Sequence, residues 1–291
     1  MSFLTRDPGR AKDPAPRGPN NIFKFSERRR PGRFQNPTLI VAWNEDAGKL
    51  SPNVVDYINA KLGAQSFCEV EPMGFFSLEG VAIEDDTAQF PEGKFYRFER
   101  NDLVTFKGSE PQYERYRFLN ALSDLAQHYC RIKELYTIGG TISPIAHTSP
   151  RKVLAVFNQP EIREELSGYG LNNMNWQGPP AISSFLLWIA QRRAIPGVSL
   201  WTEIPFYLAP GEDLQATKKT LAFFDKRFDL ALDLAELDEE IRQQNARLDQ
   251  LRQDDPEIDR YIGMLESRLS LSGEEQLGLT KKVTEALEEK D

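Results

Sequence analysis

Short apolar runs alternate with helical stripes along most of this chain. TLIVAW (Thr38–Trp43) is almost entirely apolar, which predicts a strand buried on both faces. NEDAGKLSPN then reads as a loop, and its Ser51-Pro52 supplies an N-cap and a first-turn proline for the helix NVVDYINAKL, which Gly63 ends. QSFCEVE predicts a second strand, so a βαβ-like unit opens the ordered chain at residue 38. Between residues 72 and 101 the aromatic-rich segments EGVAIED and KFYRFER flank Pro91-Glu92-Gly93 and predict a β-excursion. DLVTFKG is the next core strand, and QYERYRFLNALSDLAQHY a helix with Phe118, Leu122, Leu125 and Tyr129 on one stripe.

ELYTIGG and KVLAVFNQP are further strands. GPPAISSFLLWIAQRRA predicts an almost wholly apolar, deeply buried helix, and GVSLWTEIPFYL a strand. Strands alternating with helices imply an α/β fold: a three-layer α/β/α domain with a mostly parallel central sheet. From Leu230 the pattern changes. Leu230, Leu234, Leu237, Ile241, Leu248 and Leu251 recur at 4–3 spacing, then DDPE offers carboxylates to cap a second helix beginning at Pro256. Ile258, Ile262, Leu265 and Leu269 repeat the stripe, which predicts a C-terminal helical hairpin packed chiefly within the chain, followed by a charged segment. The organisation expected is an N-terminal arm over 1–37, the α/β/α domain over 38–225, and the hairpin and tail over 226–291.

Charge sharpens this division. The 291 residues carry a net charge of −8, yet residues 1–37 hold nine Lys/Arg against three Asp/Glu, with six prolines, while residues 225–291 hold ten against nineteen. The arm reads as extended and solvated or folded back, and no nucleic-acid binding is expected of the chain. Lacking a long apolar run or an apolar leader, the sequence points to the cytoplasm with no membrane partner. Cys68 and Cys130 stand alone and read as buried free thiols.

Candidate chemistry gathers at the ends of the strands. Asn44, Glu45 and Asp46 follow the first strand, Gly139, Gly140 and Thr141 sit in the IGGTI run, His147 in the loop beyond it, and Glu203 near the end of a later strand. In a doubly wound sheet these ends face the ligand crevice, so the eight residues are the candidate ligand-facing set, and this topology lets Glu45, His147 and Glu203 converge, which would permit general acid–base chemistry. Each has a plainer reading: a tight turn for the glycines, a backbone contact for His147. His128 lies within a helix and reads as a partly buried scaffold residue. No phosphate loop, nucleophile elbow or zinc motif occurs, so no catalytic residue, metal or cofactor is assigned.

Four segments carry a resemblance. AWNEDAG, DLVTFKGSEPQYERYRF, YTIGGTISPIAHTSPRKV and GPPAISSFLLWIAQRRAIPGVSLWTEIPFYLAPGED, in that order over roughly 38–225, resemble the proteasome assembly chaperone family, in particular relatives of its second chaperone subunit. The C-terminal hairpin resembles the extension of bacterial members. The resemblance implies a phosphorylase- or peptidyl-hydrolase-like α/β/α domain, homo-oligomers and no settled catalytic activity. Two departures are Ala42, where glycine is common, and Phe206, where the family often has histidine. The expectation is therefore a non-catalytic scaffold that self-associates, taken as a trimer, and binds protein partners. The alternative is a small-molecule-binding protein or hydrolase/phosphorylase-like enzyme with a pocket at the strand C-termini.

Overall fold

The computed structural model describes residues 22–26, 35–71, 74–77, 82–84, 87–98, 101–177 and 180–288. Most of the basic arm lies outside the described residues. The part within them corrects the expectation that order begins at residue 38: Phe23–Phe25 forms strand β1, and Ile22 beside it is buried.

The chain continues with β2 (Thr38–Trp43), α1 (Leu50–Leu62), β3 (Gln65–Val70), β4 (Ala82–Glu84), β5 (Thr87–Gln89), β6 (Gly93–Arg97), β7 (Leu103–Gly108) and α2 (Arg115–Asp124). It goes on through β8 (Glu134–Ser143), β9 (Val153–Phe157), α3 (Pro160–Glu165), β10 (Asn172–Asn173), α4 (Ile182–Arg192), β11 (Gly197–Pro205) and α5 (Leu214–Phe228). Three further helices close it: α6 (Glu236–Asp254), α7 (Pro256–Glu266) and α8 (Gly273–Glu288).

Among the described residues nine strands form one mixed sheet in the order β1-β3-β6-β7-β2-β8-β11-β9-β10, and β4 and β5 make a separate antiparallel pair. Its centre, β7-β2-β8-β11, is parallel. Antiparallel pairs lie on both sides, β1-β3-β6-β7 on one and β11-β9 on the other. β2 alternates across the sheet: Ile40 and Ala42 enter the core under α1 and α5, while Leu39, Val41 and Trp43 enter the core under α2 and α4. Burial on both faces is the reason TLIVAW needs no polar alternation. The first βα unit does not close on a neighbouring strand, because β6 and β7 lie between β3 and β2.

Three local readings change. α2 runs into a π-helical turn over Leu125–Cys130, which breaks the 3.6-residue stripe. Phe118, Leu122 and Leu125 are buried, whereas Tyr129 is partly exposed and packs its ring 4.6 Å from Phe25; His128 in the same turn is exposed. α4 is not deeply buried all round: Ile182, Leu186 and Ile189 face the sheet, while Phe185 and Trp188 face solvent. α5 ends at Phe228, so Leu230 and Leu234 precede α6 rather than belonging to it.

The α6–α7 hairpin turns at Asp255, whose carboxylate accepts the amides of Glu257 (3.0 Å) and Ile258 (3.4 Å) as an N-cap ahead of Pro256. α8 extends the expected hairpin to three helices. It starts with a capping box, Ser272 Oγ accepting Glu275 N–H at 3.3 Å and Glu275 Oε2 accepting Ser272 N–H at 2.8 Å. Leu248, Ile258, Ile262, Leu279 and Val283 are fully buried and continuous with the core that contains Ala146, Tyr207 and Leu208. Apart from Leu269, which lies beyond α7 and is 56% exposed, the leucine stripes thus pack within the chain. Among the described residues no helix is long and apolar enough to cross a membrane.

Candidate functional site

Parallel strands bring the β2–α1 loop, the end of β8 and the end of β11 to one edge. Asp46 is the centre of the first contact there. Its Oδ1 accepts the Gly140 amide and its Oδ2 the Ser51 amide, each at 2.9 Å. Burial pushes its carboxyl above the usual carboxylate range, and these hydrogen bonds oppose the shift. Gly140 is required by close approach: a Cβ there would lie 2.6 Å from the Ala47 carbonyl oxygen. We expect Gly140→Ala to destabilise the fold by about 1–3 kcal/mol through overpacking, read as a lowered urea midpoint. Gly139 is filled from the other face, its pro-Cβ position 2.7 Å from the Trp201 ring.

The other candidates have separate partners. Glu45 is exposed and accepts the Glu110 amide at 2.9 Å; Glu110's own carboxyl is held high by burial and then by Glu45's charge. Asn44 donates from Nδ2 to Ser109 Oγ at 3.4 Å, and its Oδ1 is buried without a partner among the described residues. Thr141 and Glu203 are half-buried and opposite each other across β8 and β11, and Glu203 accepts the Lys152 amide at 3.3 Å.

His147 is 2% exposed. Tyr207 Oη accepts its backbone amide at 2.5 Å and lies 2.9 Å from Nδ1, while Nε2 has no partner among the described residues. Burial, then the Arg252 charge, lowers the imidazole pKa to about 4, with Arg151 adding to the fall and Asp249 and Glu266 opposing it. Arg252, Asp249 and Glu266 come from α6 and α7, which close over the loop, and Thr148 Oγ1 donates to Glu266 at 2.9 Å. His147 therefore faces the C-terminal helices, and Glu203 faces the Lys152 backbone.

Sequence reasoning missed the residues that hold this loop. Arg151 and Asp213, 5% and 0% exposed, form a buried ion pair: Nε donates to Oδ2 at 2.7 Å and Nη2 to Oδ1 at 3.4 Å. Arg151 Nη1 also donates to the carbonyls of Ser149 (2.6 Å), His147 (3.2 Å) and Ala146 (3.5 Å). Asp213 caps α5 through the Ala216 amide at 3.0 Å. Sixty-two positions separate the pair in sequence, and nothing local marks either residue.

Chemically, Asp46, Glu203 and the His147 loop at these strand ends are engaged by hydrogen bonds made within the chain. A cleft of ≈ 570 Å³ lies at the opposite pole, where β2, β7 and β8 begin, and includes Thr38, Asp102, Lys133, Glu134 and Arg227. Others of ≈ 500 and ≈ 580 Å³ lie beside β9–β10 and between the Phe206–Leu208 turn and α6–α8. None of the eight candidate residues lines any of the three. Among the described residues no group of three or more His, Cys, Asp or Glu side chains is placed to hold a metal. Cys68 and Cys130 are free and buried, and burial pushes the Cys130 thiol up to about 12.

Comparison with known proteins places this architecture. No curated protein matches the chain. Solved structures do: a Mycobacterium tuberculosis protein of unknown function (20% identity, TM-score 0.75, 89% of this chain and 91% of that one) is similar over nearly the whole length. A Mycobacterium tuberculosis proteasome-assembly chaperone homologue follows at 18% identity and TM-score 0.67 over 77% of this chain and 99% of that one. Pyrococcus furiosus PbaB, an archaeal proteasome activator, is similar at 19% identity and TM-score 0.66 over 80% and 100%. At these identities the structural likeness is one of fold. The PAC2 family model matches residues 39–252, from the first core strand into α6, and the chain belongs to the PAC2 family.

Proposed function

We propose that this chain is a non-catalytic, self-associating scaffold that binds protein partners, as an assembly chaperone does. The observation that carries this reading is the filling of the strand C-termini. Where α/β enzymes keep a ligand crevice, Asp46 is bonded to the Gly140 and Ser51 amides, and His147 lies beneath α6 and α7. The likeness to a proteasome-assembly chaperone homologue and to a proteasome activator supports the same class of work. In this reading residues 38–225 form the partner-binding body, and residues 226–291 close the strand ends while offering a second outer surface.

Self-association in a closed ring of three follows as the arrangement proposed for the scaffold. Light scattering on the purified full-length chain is expected to give three times the 33.2 kDa chain mass. A mass that stays at one chain across micromolar to hundred-micromolar concentrations would overturn the self-association.

A further inference from the structure

The helix layer over one face of the sheet presents aromatic side chains to solvent. Tyr113 and Tyr116 are 54% and 60% exposed, and Phe185 and Trp188 on α4 are 46% and 44% exposed. The Tyr116 and Trp188 ring centroids lie 6.3 Å apart, so the patch continues across both helices. Arg115, Arg117 and Arg192 are exposed beside these rings, and Arg192 lies over Trp188 at 5.0 Å. Among the described residues none of the three arginines has a carboxylate within ion-pair distance, unlike Arg193, which pairs with Asp124. Exposed Trp, Tyr and unpaired Arg form the composition of an interface centre.

A surface of opposite character lies on the same chain. Leu277 on α8, at 73%, is the most exposed large apolar side chain among the described residues. The solvent stripe of α8 reads Glu274, Leu277, Lys281, Glu285 and Glu288, and Glu274, one turn before the leucine, has no ion-pair partner among the described residues. This stripe belongs to the segment with nineteen acidic against ten basic residues. An apolar knob with the unpaired Glu274 before it, a Lys281–Glu285 pair after it and Glu288 at the end of the stripe keeps a net negative charge, which complements an arginine-bordered aromatic patch.

We propose that copies of this chain join head to tail, the aromatic face of α2 and α4 on one copy receiving the Leu277 stripe of α8 on the next. The inference rests on the self-association proposed above and adds its surfaces. Because the two faces differ, the contact is heterologous, and a ring forms where the rotation closes. The exposed position of the key side chains permits substitution without disturbing the core.

The test uses two variants of the full-length chain, Trp188→Glu and Leu277→Glu, measured alone and mixed by light scattering and sedimentation velocity. Each alone is expected to weaken self-association at least about 30-fold, the size of one lost hot spot. Mixed in equal amounts, the two should form a one-to-one pair and stop there, since each retains one intact face and the pair has none left to extend. Arg192→Glu gives the same first result while leaving the aromatic side chains themselves unchanged, and keeps the test open should Trp188→Glu fail to fold. If the wild type associates and both variants match it, the proposed faces are wrong while self-association stands. If Trp188→Glu is monomeric but mixing restores no pair, the aromatic face meets something other than α8, and the head-to-tail contact is overturned. A monomeric wild type removes both readings.

Discussion

Arg151→Met is expected to lower unfolding stability by about 3–5 kcal/mol, read from urea denaturation of the full-length chain. The guanidinium and the Asp213 carboxylate are both buried, and they are each other's charge partners. Removing the cation leaves a carboxylate out of water with, among the described residues, only the Ala216 amide to compensate it, and takes the Arg151 donor from the His147 and Ser149 carbonyls, while the Ala146 carbonyl keeps the Ser149 amide. The penalty belongs to the abandoned charge more than to the pair itself. Arg151→Met/Asp213→Leu should therefore recover much of the loss, less about 1 kcal/mol for the missing α5 cap. A single variant within about 1 kcal/mol of wild type would mean that the pair is hydrated and the loop held by its apolar contacts.

The pH dependence of stability should carry a distinct contribution from His147. With an ordinary pKa of 6.5 in the unfolded chain and about 4 in the folded one, the imidazole binds a proton more readily when unfolded. Its contribution is fully present above pH 6.5 and is lost as pH falls toward 4, reaching about 3 kcal/mol there. Burial is the main cause, and the nearby Arg252 and Arg151 act in the same direction against Asp249 and Glu266. Paired carboxylates such as Glu266, held low chiefly by its hydrogen bond from Arg252, add acid sensitivity at the lower end of this range. The difference between wild type and His147→Gln isolates the imidazole. Stability measured from pH 7.5 to 4 should fall more steeply in the wild type, and parallel curves would show that the ring is hydrated in the folded chain. Because α6 and α7 pack over this residue, the first amides to lose exchange protection on acidification should lie in those helices.

How much of this was legible beforehand follows from what each residue depends on. Elements whose signals are local could be read from neighbouring residues alone. TLIVAW is a strand because uninterrupted apolar side chains suit burial on two faces, and α7 begins at Pro256 because Asp255 can cap it and proline needs no amide bond there. The family was legible for a related reason, as motifs in order survive in sequence even where overall identity is low. The candidate residues could be assigned to one edge from chain order, since parallel strands deliver their loops there, although Gly139, Gly140 and Thr141 lie within β8 rather than beyond it.

What those residues touch depends on the closed fold. Asp46 reaches Gly140 across 94 positions, and Arg151 finds Asp213 across 62. Nothing in either neighbourhood distinguishes a caged carboxylate from a ligand-facing one. The same holds for α4: its apolar run suits deep burial, but a helix on one side of a sheet has an outer face, which left Phe185 and Trp188 in solvent. His147 shows the limit most clearly. A loop histidine after a strand suggests chemistry, yet its environment comes from α6 and α7, a hundred residues downstream. Local pattern sets secondary structure because it is a matter of neighbouring side chains. Partners in a buried polar site are chosen by which distant segments the closed fold brings together.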